Sequence, residues 1–195
     1  MHNAGTAALA GGEQDWTHDR LLVEAVQKDP AVFEDLYRRY RHRVYAFLRA
    51  RTTSGEDAED LTQQVFVQAL AALPRYHDRG SGFAPWLFRI ARNAATNFQT
   101  RGGRPTVVWE QLPAAHHPPA SQDLEGAAVY EEDVERLQGL LMTLAPAARE
   151  ILALRFAGRL TTAEIAATIG KSEAATKKQL ARSLHSLKER YHDRP

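Results

Sequence analysis

An all-α protein of two small helical domains is what this sequence predicts, and three observations predict it. Apolar residues recur at three- and four-residue steps through most of the chain, no segment alternates long enough to be a strand, and an acidic stretch without periodicity separates two helical blocks. The divisions fall at 1–17, a disordered Ala/Gly-rich tail; 18–104, the first domain; 105–123, a flexible acidic linker; and 124–195, the second domain, which carries a helix-turn-helix. Domains this small bury only about 60% of their unfolded surface. Flexible tethering, with firmer order on a larger partner, is therefore expected.

The first helix spans Asp19 to Asp29 around Leu22, Val23 and Val26, and stops because the residue before Pro30 avoids the helical region. In the next, Phe33, Leu36, Tyr37, Tyr40, Val44, Phe47 and Leu48 form one apolar stripe, with Arg38, Arg39, Arg41 and Arg43 mostly off it. Ser54 is an N-cap for a third helix, with Glu56 and Asp57 near its positive end and Leu61, Val65 and Ala69 inward, running to about Leu73. A loop, Pro74 to Ala84, follows. Pro85 suits the first turn of a helix to about Thr100, which points Leu87, Ile90, Ala91, Ala94 and Phe98 inward and leaves Arg89, Arg92, Asn93 and Thr96 as a polar face.

Past the linker, Val134, Leu137, Leu141 and Leu144 share a face. Pro146 opens a helix that buries Ile151, Leu152, Leu154 and Phe156 and closes at Gly158. Two further helices, Thr162 to Ile169 and Ser172 to about Tyr191, meet at Gly170. Leu180, Leu184 and Leu187 bury the last one.

Net charge is only +1, yet the charge is segregated. Between Arg75 and Arg104 six arginines face one acid, a balance of +5; from Pro105 to Glu135 there are seven acids and no Lys or Arg, −7; from Lys171 to Arg190 six bases face two acids, +4. The absence of cysteine excludes disulfides, thiolate-held zinc and thiol redox sensing, and fits a cytoplasmic location. No apolar run approaches the roughly 18–20 residues that span a bilayer. His116 and His117 sit among prolines and alanines, and the pair Asp57 and Asp60 has no nucleophile or phosphate loop beside it. No metal, no cofactor and no catalysis is expected.

The strongest local signal is Thr161-Thr162-Ala163-Glu164-Ile165-Ala166 followed by Ile169-Gly170-Lys171-Ser172. Ile165, Ala166 and Ile169 face the motif's core, Ala166 is small where two helices cross, Gly170 permits a left-handed turn and Ser172 caps the second helix. That helix would turn its N-terminal residues Ser172, Glu173 and Ala175 to base edges and Lys177, Lys178, Gln179 and Arg182 to DNA. A helical hairpin in an unrelated bundle is the blander reading.

Leu144-Ala145-Pro146-Ala147-Ala148-Arg149-Glu150-Ile151-Leu152-Ala153-Leu154-Arg155-Phe156, with the helix-turn-helix after it, resembles the C-terminal domain of bacterial sigma factors. Asp57-Ala58-Glu59-Asp60-Leu61-Thr62-Gln63-Gln64-Val65-Phe66 resembles the family's polymerase-docking helix, and Pro85-Trp86-Leu87-Phe88-Arg89-Ile90-Ala91-Arg92-Asn93 its promoter-melting helix. Two domains with little between them resemble the extracytoplasmic-function (ECF) group. The resemblance implies a partner in core RNA polymerase, through its clamp helices and flap, and a second in promoter DNA. Many family members also have a cognate anti-sigma protein.

By the same resemblance, Asp57, Asp60, Gln63 and Gln64 would meet the clamp, with Gln64 where the family usually has Glu. Tyr76, His77 and Phe83 of the loop would hold a flipped base, where stacking on one ring contributes on the order of 1–3 kcal/mol. Arg89, Arg92, Asn93 and Thr96 would track the −10 strand. Trp86 reads as core. The second domain would read the −35 element, but Ala175, Thr176 and Gln179 depart from the common pattern there. The acidic linker is either a solvated spacer or an occupant of the polymerase's basic channel, and the resemblance favours the channel. Two competing functions stay open: a stand-alone helix-turn-helix regulator, which has no need of a docking helix, and a helical interaction protein, against which the two basic segments speak.

Overall fold

The computed structural model describes residues 17–52, 54–100, 137 and 139–192, and every regular element among them is helical. The expected tail, apart from Thr17, and the whole expected linker lie outside the described residues, as do His116 and His117.

Helix α1 covers 17–28. Asp29 accepts a hydrogen bond from the Ala31 amide at 3.0 Å and caps a 3-10 turn, Pro30–Val32, which leads into α2, Phe33–Arg49. Leu36, Tyr40, Val44, Phe47 and Leu48 of the expected stripe are all buried. Asp19, itself buried, reaches back from α1 to α2, accepting from Arg39 Nε at 2.7 Å and from the Tyr40 hydroxyl. A buried carboxylate needs such partners, because an unpaired charge there would be expelled or neutralised.

Ser54 caps α3, Gly55–Ala72, as expected, accepting from the Asp57 amide at 3.0 Å. Leu73–Arg75, the first two loop residues included, form a 3-10 turn. The next helix, α4, begins at Phe83 rather than Pro85 and ends at Thr100. Pro85 still lies in the first turn, where no intrahelical amide is needed. The loop instead ends early because Phe83 is drawn into the core, its ring edge-on to Tyr40 at a centroid distance of 5.4 Å.

A helical turn through 139–142 precedes α5, Pro146–Leu152, which loosens into a π turn at Ala153–Ala157 before Gly158. Helices α6, Thr162–Ile169, and α7, Glu173–His192, complete the chain. Three expected core residues are exposed instead: Phe156, Leu184 and Leu137, at 48%, 40% and 41%. The π turn shifts the phase of the residues after Leu152, which rotates Phe156 outward while Leu154 stays buried. On α7 the inward stripe runs instead through Thr176, Leu180, Ser183 and Leu187, one step aside from Leu184.

The helices of the first block pack around one core, and that core continues into the second block. Ile151, Leu154, Leu160 and Ile165 belong to the same buried cluster as Phe47, Leu87 and Phe88. Helix α4 is accordingly buried on a second stripe, Phe88 and Ala95, besides the expected Leu87, Ala91 and Ala94. Leu141, Leu144 and Leu152 make a smaller satellite against Leu180 and Leu187.

Tyr40 and Tyr76 are phenols held neutral mainly by burial, with nearby carboxylates (Asp19 for Tyr40, Asp78 and then Asp19 for Tyr76) acting in the same direction. Both therefore keep their protons well above the ordinary phenol value of about 10. The unfolded chain releases them at that ordinary value, so the stability they contribute is whole below it and drains away as the pH climbs past it. A melting series in alkali should show the midpoint falling above pH about 10, and Tyr40→Phe should soften that fall. An alkaline limb of identical slope in Tyr40→Phe would contradict this account.

Candidate nucleic-acid and polymerase interface

Four surfaces carry the residues singled out by sequence. On α3, Asp60, Gln63 and Gln64 are exposed and adjacent at three- and four-residue spacing. Asp57 is not free beside them: it is half-buried, and its carboxylate accepts from Ser54 Oγ at 2.7 Å. The structure adds two residues to this face. Val67, 68% exposed, continues the same face one turn beyond Gln63 and Gln64, and Leu70, 39% exposed, lies further along it. An apolar residue presented to solvent where the rest of α3 turns its Leu and Val inward was the available signal.

The loop after α3 is tied at its start by Gln27, whose side-chain amide donates to the carbonyls of Leu73 and Tyr76 at 3.0 and 2.9 Å. At its tip, the Asp78 carboxylate accepts from the amides of Gly80, Ser81 and Gly82 at 2.9, 3.1 and 3.0 Å. Gly80 and Gly82, at φ of 88° and 79°, make that tight wrap possible. Of the three rings expected to meet a base, only His77 is exposed. Phe83 and Tyr76 are 3% and 9% exposed and pack with half-buried Trp86, Tyr76 lying 4.8 Å from the Trp86 ring and Phe83 5.4 Å from it. They wall a cleft of about 240 Å³ that is also lined by Arg20, Glu24 and Gln27 of α1 and by His77 and Asp78. Those α1 residues escaped the sequence reading, because a pairing across some fifty positions leaves no local signal.

On α4, Arg89, Asn93 and Thr96 are exposed in a row. The Thr96 hydroxyl donates to the Arg92 carbonyl at 2.9 Å. Arg92 sits to one side, and its Nε donates to Glu150 Oε1 at 2.9 Å.

In the helix-turn-helix, Thr161 and Glu164 form a capping box: the Glu164 amide donates to Thr161 Oγ1 at 3.2 Å, and the Thr161 amide donates to the Glu164 carboxylate at 2.7 Å. The Thr-x-x-Glu spacing announces this box in the sequence. Gly170 adopts φ 71°, ψ 35°, the left-handed turn expected of it. Ser172 Oγ accepts from the Ala175 amide at 3.3 Å. Ala175, Lys178, Gln179 and Arg182 share one face of α7, whereas Glu173 and Lys177 are exposed off it. Gln179 accepts from Lys171 Nζ at 3.2 Å, which braces the turn against the helix. Thr176 is fully buried, its hydroxyl donating to the Ser172 carbonyl at 3.0 Å, so it serves the helix start and not a groove. Among the described residues, no group of three or more His, Asp or Glu is placed to hold a metal ion.

Among the described residues, the helices carry an exposed polar face on α3, a capped loop and a helix-turn-helix. Sigma-70 region 2 matches residues 36–104 and Sigma-70, region 4 matches residues 134–187, in that order. The ECF RNA polymerase sigma factor SigD of Mycobacterium tuberculosis is 32% identical over 176 residues, covering 88% of this chain and 82% of the relative. SigM of Bacillus subtilis is 30% identical over 158 residues, covering 81% and 94%. The fold is also that of CnrH, solved in complex with the cytosolic domain of CnrY, at a TM-score of 0.64, 23% identity and coverage of 87% of this chain and 94% of that one. The RpoE sigma factor of Bartonella quintana, solved with the anti-sigma factor NepR, gives 0.60 and 23%, with coverage of 83% and 98%. The chain belongs to the ECF RNA polymerase sigma factors. It is a sigma factor acting in transcription initiation, not a stand-alone regulator. No helix among the described residues is long and apolar enough to cross a membrane.

Proposed function

We propose the following division of labour. The 18–104 domain docks on core RNA polymerase through Asp60, Gln63 and Gln64 of α3, with Val67 as the apolar end of the patch. Asp57 contributes by bracing Ser54, the cap of the helix that carries them. Promoter DNA passes over the other side of the same domain. Arg89, Arg92, Asn93 and Thr96 track the −10 strand, with arginine suited to phosphate and Asn to a base edge. An unstacked base enters the cleft between α1 and the loop, meeting His77 at its rim, with Tyr76 and Phe83 as its wall. The 124–195 domain reads the −35 element with Ala175, Lys178, Gln179 and Arg182, while Ser172, Glu173 and Lys177 flank that contact. The acidic linker, 105–123, lies along a basic channel of the polymerase. A cognate anti-sigma protein is a further partner of this chain in the cytoplasm, and the chain performs no catalysis of its own.

The observation that carries this reading is the arrangement of α3 and α4: an exposed polar patch that ends on Val67 on one helix, and a separate row of Arg89, Asn93 and Thr96 on the other. Run-off transcription with purified core polymerase on genomic fragments tests it. Discrete transcripts should require both proteins, and the isolated chain should bind duplex promoter DNA weakly, since its net charge is only +1. Arg92→Ala should lower open-complex formation and leave polymerase binding intact. Tight, specific duplex binding by the isolated chain, or loss of polymerase binding in Arg92→Ala, would overturn the assignment.

A further inference from the structure

Lys171 reaches over the opening of the recognition helix to Gln179, two turns further on. Its Nζ donates to Gln179 Oε1 at 3.2 Å. Lys171, Ala175 and Gln179 follow at four-residue steps, the spacing of neighbours on one helix face. Only the methyl group of Ala175 stands between the two ends in that row, and a longer side chain there would fill the space they cross.

An ammonium has three donors and no acceptor, so the oxygen is the end of the Gln179 amide that turns toward it. The Nε2 end is thereby turned the other way, and among the described residues no acceptor is within hydrogen-bond reach of it. Gln179 is itself half-buried, and the buried Thr176 and Ser183 fix which face α7 turns outward. The turn before the helix does not depend on the lysine side chain. There the Lys171 backbone amide donates to the Ala166 carbonyl at 3.0 Å, and Gly170 supplies the left-handed angle. What the Lys171 side chain does is orient the amide.

A glutamine with both ends of its amide free reads adenine, accepting from N6 and donating to N7. One whose oxygen is engaged by a lysine offers donors alone: its own NH2 and the remaining ammonium hydrogens. In the major groove guanine presents two acceptors side by side, N7 and O6. Adenine and cytosine present an amino group that such a head leaves unmet, and thymine a single acceptor. We propose that Lys171 is a positioning residue for base readout: by holding the Gln179 carbonyl it turns Gln179 from an adenine reader into a guanine reader in the upstream promoter element. This rests on the −35 assignment of α7 above and names the base that this part of it selects.

The test reads base preference, which a merely structural role would not move. A promoter recovered by run-off transcription has its upstream element randomised, each version linked to a transcribed barcode. Bacterial core RNA polymerase carrying the full-length chain transcribes the library, and the barcodes are sequenced. The parent should favour guanine over adenine by roughly tenfold at one upstream position, and Gln179→Ala should flatten that position. Lys171→Met keeps a long stem without the charge. It should move the preference at the same position to adenine and leave the rest of the motif as it was. Adding Gln179→Ala to Lys171→Met should erase the adenine preference. Lys171→Arg, again a head of donors only, should keep guanine. Lys171 is exposed, so the melting midpoints of its variants should match the parent's. Guanine retained in Lys171→Met overturns the proposal and leaves the −35 assignment standing, as does a uniform weakening across all sequences, the mark of a lost phosphate contact. An upstream motif untouched by Gln179→Ala overturns the assignment of this face to DNA, and the proposal with it.

Discussion

Asp60→Arg combined with Gln64→Arg should lower the affinity for core RNA polymerase by on the order of a hundredfold or more, because opposing like charges across a docking surface costs several kcal/mol. Both residues are exposed on α3 and point away from the core. Helix content and thermal midpoint should therefore stay close to those of the parent protein. Competition against a labelled parent chain for a limiting amount of core enzyme measures the effect. Undiminished competition by the double variant would remove α3 from the docking surface and leave Val67 without a role.

Phe47→Ala carries the largest expected loss of stability. Phe47 is fully buried, meets Phe88 edge-on at a centroid distance of 5.7 Å, and lies under the Arg51 guanidinium at 5.5 Å. Truncation of such a ring costs about 3–5 kcal/mol through lost burial and the cavity left behind. A protein of this size has only about 5–15 kcal/mol in total. The variant should melt far below the parent in a calorimetric scan. A loss under 1 kcal/mol, judged from chemical denaturation, would mean the site collapses around the gap and that the two blocks share less of their interior than the geometry indicates.

Much of the architecture is legible in the residues because it is set locally. The Ser54 cap, the Pro146 start and the Gly170 turn each depend on a single side chain or backbone angle, and each stands where the sequence put it. The stripe on α2 is similarly local, since 3.6-residue periodicity selects one face. What escaped depends on partners distant in the chain. Phe88 and Ala95 lie off the expected inward face of α4, and are core because the second block covers that side. Leu184 and Phe156 failed in the opposite direction: hydrophobicity marked them for burial, while the stripe beside one and the π turn before the other left them outside.

The candidate surfaces divide in the same way. Asp60, Gln63, Gln64, Arg89 and Asn93 were readable because exposure follows from helical phase. The interior positions of Tyr76 and Phe83 were not, since a loop's rings turn inward or outward according to what lies opposite, and here that is Tyr40 and Trp86. Arg43 and Arg51 carried no sign of their destination, because the Gly158 and Arg159 carbonyls and the Glu150 carboxylate they reach stand about a hundred positions later.

The close seating of Phe88 under Gly158 sets a condition on hybrid proteins. Exchanging recognition heads between relatives treats each head as an interchangeable part, joined by its connector alone. A donor head bearing any side chain at position 158 would bring its β-carbon to 2.8 Å from the aromatic edge of the recipient. The Leu154 carbonyl stands at the same 2.8 Å, so a smaller residue in place of Phe88 would relieve only half of the crowding, and a donor head is best chosen with glycine at this position.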